Sequence, residues 1–461
     1  MIYFIEKVVC YWRTCAGYRI GDGQFDASFI NPKICTHIIY SFIGTSADGT
    51  VNSLDPFIDY QKDGGYLKKF VALRSQNPSV KLMVSAGGWS FGSAVFSQLA
   101  ANVYSRKNFA QNVVNFCRNN YLDGFDLDWE YPAQRDGNAA VDKINFSALL
   151  FELKRALSGA GLLLSFASAS AQFSAQISYD IRTVASNVDF INIMAYDLHG
   201  PWDGYTGIHG ALYAGPDQNK QLNADACIKY WISQGAPREK LILGIPTFGK
   251  SFTLANVASN GIGAKTIGSG TAGPWTNIAG SLGYNEICMN CWPRFWQPEQ
   301  KVPYAINGNQ WVGYDDVNSV SNKANYIMQN GLGGAMFSSL ETDDFRGNCG
   351  QGRYPLISTG YGILMNGNVS TSHILLRTLY QDYLLQVLLP IPIQSTVIIN
   401  TITVPTGGLF ICPKDGLFKD PARCDKFYQC ANGIAYSQPC PSGLLFDVSL
   451  LVCNWPASVQ C

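Results

Sequence analysis

Eight short apolar runs, rich in β-branched and aromatic residues, recur in the first three quarters of the chain: KVVCYW (7–12), THIIYSF (36–42), KLMVSAGG (81–88), GFDLDWE (124–130), LLLSFAS (162–168), DFINIMAY (189–196), LILGIPTF (241–248) and GGAMFSS (333–339). Several intervals between them carry helical amphipathic periodicity, as in FSQLAANVYSRKNFAQNVVNFCRNN and NFSALLFELKRAL. Eight strands alternating with helices predict an α/β fold, a (β/α)8 TIM barrel over residues 7–358, with any active site at the C-terminal ends of the strands. The interval from 249 to 332 is far longer than one helix needs, and its glycines and aromatics predict an α+β insertion subdomain after the seventh strand that walls one side of a cleft.

The rest of the chain reads differently. Of 14 cysteines, eight are spread over residues 1–349 and six fall in the last fifty residues. Such a terminal cluster predicts a small disulfide-rich β domain at 410–461, and with it an oxidising, extracellular compartment for a secreted protein. The N-terminal MIYFIEKVVCYW places Glu6 and Lys7 where a signal peptide would have its apolar core, so no signal peptide is evident there. Residues 359–409 lack periodicity and contain Pro390, Pro392 and Pro405, which reads as a linker. Its stretch YLLQVLLPIPIQSTVII is apolar, but two prolines, two glutamines and a Ser-Thr pair argue against a membrane span. Lys+Arg and Asp+Glu both total 33, and this balance excludes an electrostatic case for nucleic acid or an anionic membrane. Sequons at Asn145 and Asn368 allow N-glycosylation, although Asn145 also reads as the start of a helix. A monomer is expected.

The fourth run continues as DGFDLDWEYP (123–132), with four carboxylates in ten residues. In a strand, Asp126, Asp128 and Glu130 share one face while Phe125, Leu127 and Trp129 share the other. Like charges so close together push at least one proton affinity upward, and a last acid that stays protonated near neutral pH is what general acid catalysis requires. A solvated acidic edge or a cation site is the plainer reading. The aromatics disfavour the edge, and Asp-x-Asp-x-Glu without an internal turn glycine is no EF-hand loop. No His accompanies a Cys at ligand spacing, so neither a metal nor another cofactor is expected.

These motifs resemble glycoside hydrolase family 18, in particular the arthropod-type chitinases with a C-terminal peritrophin-type (family 14) chitin-binding domain. DGFDLDWEYP resembles the family's Asp-x-x-Asp-x-Asp-x-Glu signature, KLMVSAGGW its third-strand motif, MAYDLHGPWD its sixth and LGIPTFGKSF its seventh. The resemblance implies a secreted endochitinase acting on β-1,4-linked N-acetylglucosamine. Glu130 would protonate the glycosidic oxygen, and Asp128 would turn between Asp126 and the substrate. The substrate's own N-acetyl oxygen would be the nucleophile, forming an oxazolinium ion with retention, and Tyr196 and Asp197 would steady the acetamido group. It extends substrate contact to Asp123, Tyr11, Phe42, Gly88, Trp89, Trp202, Phe248, Lys250 and Ser338, with Trp311 a further candidate platform. It pairs Cys10 with Cys35 and Cys288 with Cys349, leaving Cys15, Cys117, Cys227 and Cys291 over. In the tail it pairs Cys412 with Cys430, Cys424 with Cys461 and Cys440 with Cys453, and it points to Phe427, Tyr428, Phe446 and Trp455 as aromatics for chitin.

Four positions depart from the family pattern. Ser338 and Cys15 stand where a Trp is usual, the first as the floor under the reacting sugar; Phe248 stands for a frequent Tyr and Lys250 for Arg. These departures motivate an alternative, a weakened or inactive chitin-binding lectin on the same fold. Cleavage of the chitobiose core of N-glycans is disfavoured by the tail.

Overall fold

The computed structural model describes residues 6–366, save 217, 218 and 291, and in the C-terminal region residues 416–420, 423–431, 434–440, 445–447 and 452–454. The eight apolar runs form eight parallel strands: β1 (Lys7–Arg13), β2 (His37–Thr45), β3 (Lys81–Gly87), β4 (Gly124–Asp128), β5 (Leu163–Ala169), β6 (Phe190–Met194), β7 (Leu241–Pro246) and β8 (Gly334–Ser338). Each pairs with the next, and β8 pairs with β1 through Lys7↔Gly334 to Cys10↔Phe337, so the sheet closes as expected.

Side-chain alternation builds two cores from one sheet. Inward-facing Val9, Tyr11, Ile39, Met83, Phe190, Met194, Ile242 and Met336 fill the lumen. Outward-facing Val8, Cys10, Trp12, Phe125, Leu127 and Phe337 pack with the surrounding helices into the larger core. The long amphipathic stretch after β3 is two helices, Ala94–Ala101 and Val103–Asn119, because Asn102 adopts extended backbone and its Oδ1 accepts from Tyr104 N at 2.8 Å, capping the second. The helix after β4 begins at Asp142, three residues ahead of Asn145. Cys10–Cys35 ties β1 to the approach to β2, and Cys288–Cys349 also forms. Cys15, Cys117 and Cys227 are free.

After β7 the chain enters an antiparallel sheet in which Phe248–Leu254 pairs with Thr266–Ser269, Ser281–Gly283 and Gln310–Gly313, and Val302–Asn307 joins Gln310–Gly313 to Arg294–Gln297. With the helix Tyr284–Met289 this is the expected insertion, but it ends near 313. Val317–Asn330 is a helix of the barrel's outer ring, its Val320, Ala324 and Ile327 buried in the large core. Trp311, a candidate for either cleft or core, is wholly buried against Phe252 and Tyr304, with ring centroids 5.4 and 5.1 Å away; an indole locked there offers no surface to a sugar. The last barrel helix runs from Pro355 to Asn366, past the expected boundary at 358. Among the described residues no helix is long and apolar enough to cross a membrane.

The C-terminal unit has a three-stranded antiparallel sheet, Gly416–Lys419, Lys426–Ala431 and Ile434–Pro439, and a pair of short strands, Leu445–Asp447 and Val452–Asn454. Phe446 is 3% exposed and stacks on Phe427 at 4.7 Å, so it belongs to the small core rather than to a chitin-facing surface. Tyr428 is half-buried, opposite Phe418 and Ser437. Cys424 and Cys440 are disulfide-bonded. Cys412, Cys461, Trp455, Asn368, the side chains of Cys430 and Cys453, and most of the expected linker lie outside the described residues.

Candidate active site

Strand β4 carries the acids inward and its apolar residues outward. Trp129 packs behind the barrel against Phe96 and Phe146, its Nε1 donating to Ser93 Oγ at 2.9 Å. On the other face, Asp126 is wholly buried and accepts four hydrogen bonds: from Tyr11 Oη (2.7 Å), Ser85 Oγ (2.8 Å), Ser165 Oγ (2.6 Å) and Asn192 Nδ2 (3.2 Å). The donors come from β1, β3, β5 and β6, so the barrel itself builds the cradle. Burial raises the proton affinity of Asp126, and these four bonds oppose the rise.

Asp128 is 5% exposed, and its Oδ1 is buried without a hydrogen-bond partner. Burial, then the charge of Glu130, then that of Asp126 hold its carboxyl well above the usual range, with Arg13 opposing. Burial likewise raises Glu130 to about 7, while a hydrogen bond from Tyr131 and the charges of Arg13 and Arg135 pull it down. Three acids in a row thus hold more protons near neutrality than free carboxylates would. Close backbone packing positions them: Gly88 N donates to the Asp128 carbonyl at 2.8 Å, and a Cβ on Gly87 (φ +120°) would meet that oxygen at 2.1 Å. A Cβ on Gly88 would strike the Phe42 ring at 2.7 Å, so this glycine lets Phe42 pack beside the site.

Tyr196 and Asp197 follow β6. The Tyr196 hydroxyl reaches Met336 Sδ at 3.8 Å and lies against Ser338, and burial raises its pKa. Asp197 Oδ1 is 3.2 Å from Lys250 Nζ and 3.3 Å from His209 Nδ1. Burial would raise Asp197, but these two partners hold it below the usual carboxylate range. His209 Nε2 lies 3.1 Å from the Phe248 carbonyl, which can only accept, so that nitrogen carries a proton and Nδ1 turns to Asp197. Phe248 packs edge-on to Tyr196 at 5.8 Å.

Two tryptophans frame the opening. Trp89 and Trp202 are 60% and 63% exposed. Arg135 stacks 4.0 Å from the Trp89 ring and ties the loops together by donating to the carbonyls of Trp89 (2.7 Å) and Glu130 (3.0 Å). Trp202 flanks a cavity of about 380 Å³ that is also lined by Lys250, Ser269 and Gly280. Ser338 is buried, and Cys15 is exposed.

Asp123 is not part of the site. It precedes β4, at the opposite end of the barrel, where its Oδ2 accepts from Leu82 N at 2.7 Å and from Arg74 at 2.9 Å; five strand residues separate it from the acids' end. Sequence reasoning missed Ser85, Ser165 and Asn192, each a polar residue in the middle of an apolar run, where period two predicts an inward position beside Asp126. It also missed Arg13, Arg135 and His209, which no local pattern marks.

Residues 7–343 match the family described as glycosyl hydrolases family 18, and residues 412–461 match the chitin binding Peritrophin-A domain. Mouse chitotriosidase-1 is 36% identical over 97% of this chain and 95% of its own length, and an endochitinase of Manduca sexta is 34% identical over 98% and 94%. The crystal structure of an Ostrinia furnacalis Group IV chitinase in complex with allosamidin superposes with a TM-score of 0.76 at 40% identity, covering 78% of this chain and 99% of that one.

Proposed function

The chain belongs to the glycosyl hydrolases of family 18, a chitinase with a chitin-binding domain, and from that premise we propose that it is a secreted endochitinase that works by a retaining, substrate-assisted reaction. The observation that carries the mechanism is the buried, unpartnered Oδ1 of Asp128, whose neighbours along the acidic face are Asp126 and Glu130. A buried acceptor without a donor costs about 1–3 kcal/mol, and an acetamido N–H of the substrate would satisfy it.

Glu130 gives its proton to the glycosidic oxygen as the bond to C1 breaks and the electron pair leaves with that oxygen. The acetamido oxygen closes on C1, and the oxazolinium ion carries the positive charge. Asp128 holds the amide nitrogen and, drawn by Asp126, spreads that charge. Tyr196 and Asp197 steady the acetamido group. Water then adds to C1 from the face the leaving group vacated and gives its proton to Glu130, restoring the acid with retained configuration. A second carboxylate nucleophile is not needed.

The tail holds the enzyme on insoluble chitin and so raises the local substrate concentration. The protein acts extracellularly as a monomer, in keeping with its disulfides. Chromatography and proton NMR of chitohexaose digests test this reading. Product from wild type, first seen as the β-anomer, with none from Glu130→Gln that still binds the hexamer, is the expected result. No product from wild type, with binding intact, would leave the lectin reading in its place.

A further inference from the structure

Arg13 ends β1, two residues beyond Tyr11 and four beyond Val9, both of which fill the lumen, so alternation turns its side chain to the mouth of the barrel. Ser338 does the same on β8, two residues beyond inward Met336. The two strands are hydrogen-bonded neighbours, and the side chains meet: Arg13 Nη2 donates to Ser338 Oγ at 3.3 Å. Among the described residues this is the guanidinium's hydrogen bond, and no carboxylate comes within ion-pair distance of it, so most of its five N–H donors stay uncommitted.

The charged and titratable groups around it come from every side. Glu341, wholly buried, is the nearest compensating anion; its Oε2 accepts from the Arg13 backbone N at 3.2 Å, and Arg19 donates to its carbonyl at 3.0 Å. Cys15, Tyr196 and Asp197 also act on the guanidinium. The guanidinium in turn acts on Asp128 and Glu130. Arg135 faces Glu130 from its own loop, while His209 and Lys250 are committed to Asp197.

We propose that Arg13 forms part of the substrate-binding floor of this hydrolase, its guanidinium seated on Ser338 at the mouth of the barrel under the reacting sugar. The proposal rests on the hydrolytic reading above. Two consequences follow. An indole at 338 needs the space the guanidinium fills, so Ser338→Trp by itself drives Arg13 toward the acids rather than supplying a platform. And the Arg13 charge favours the ionised form of Glu130, so removing the cation keeps Glu130 protonated to higher pH.

The test uses the full chain and chitohexaose, with kcat and KM measured from pH 4 to 9 for wild type, Arg13→Met, Arg13→Lys, Arg13→Ala, Ser338→Trp and the pair Arg13→Ala/Ser338→Trp. Expected is an alkaline limb of kcat that moves up by about one pH unit in Arg13→Met but stays near wild type in Arg13→Lys. Ser338→Trp loses roughly tenfold in kcat/KM, and the double variant regains most of it. An unmoved limb in Arg13→Met, or effects at 13 and 338 that simply add, overturns the proposal. If wild type does not turn over, the hydrolase reading fails instead. The coupling of 13 and 338 is then read from chitohexaose Kd by calorimetry, where additivity again refutes it.

Discussion

Tyr11→Phe probes the cradle of Asp126 with little change in packing. The hydroxyl donates to Asp126 Oδ2 at 2.7 Å and accepts from Asn192 Nδ2 at 3.2 Å; the ring stays among the lumen side chains in either case. A hydrogen bond to a charged group is worth about 1.5–3 kcal/mol, which corresponds to about one to two units in the pKa of Asp126. The sign follows from the donor, which favours the ionised carboxylate, so its loss raises the pKa further above the ordinary value. In the proposed substrate-assisted reaction Asp126 must be ionised to draw Asp128, and protonating it removes that pull. The acidic limb of kcat with chitohexaose is therefore expected to move up by about one to two pH units, with kcat along that limb down roughly tenfold to a hundredfold, while KM changes little. Asn192 keeps its 3.2 Å bond to Asp126 Oδ1, so circular dichroism and the unfolding midpoint should alter only modestly. A lowered unfolding midpoint with an unmoved acidic limb would show that the hydroxyl only completes packing, and the pull of Asp126 on Asp128 would have to be abandoned.

Glu130→Gln should also change stability with pH: an acid raised from 4.5 to about 7 contributes stability that is full below its unfolded pKa and lost as pH rises through the folded one. Thermal unfolding should therefore show the variant gaining on wild type between pH 4.5 and 7, and a constant difference across that window contradicts the raised proton affinity. Asp123→Ala removes a cap on Leu82 N and the partner of Arg74, costing about 1–3 kcal/mol in urea unfolding. Its kcat/KM should stay within about twofold of wild type, and a larger loss would return Asp123 to the site. Lys323→Met leaves Asp315 charged and 1% exposed without its 2.6 Å partner, so about 3–5 kcal/mol should vanish from the unfolding free energy.

The architecture was legible because it is written in runs that alternate with period two and in helices that fill the intervals; closing the barrel needs nothing more local than that. Where boundaries failed, a competing local interaction was responsible. Asn102 caps and thereby divides an amphipathic interval into two helices, and Val317–Asn330 returns to the barrel although it follows the insertion directly. Tryptophans show the limit most sharply. Trp89, Trp202 and Trp311 look alike in sequence, yet two are largely exposed at the opening and one is the centre of a small core. The difference lies in strand pairing, since Trp311 faces Ile306 and Phe252 across two neighbouring strands.

The acids were legible for a different reason: they sit close together in the chain, so like-charge repulsion can be read from spacing alone. Most of what modulates them does not, Tyr131 and Arg135 being the near neighbours. Arg13 is 325 residues from Ser338, His209 is 12 from Asp197, and Tyr11 is 115 from Asp126. Each was brought in by a different strand or loop, and none carries a motif. The three neighbouring acids sit on one strand and its end, while much of their electrostatic control comes from the others. Substitutions on those other strands should therefore change when the reaction runs, in pH and in affinity, before they change whether it runs. Ser338 and Cys15 are then less a sign of lost activity than of a site whose floor and charge balance have been reset around Arg13.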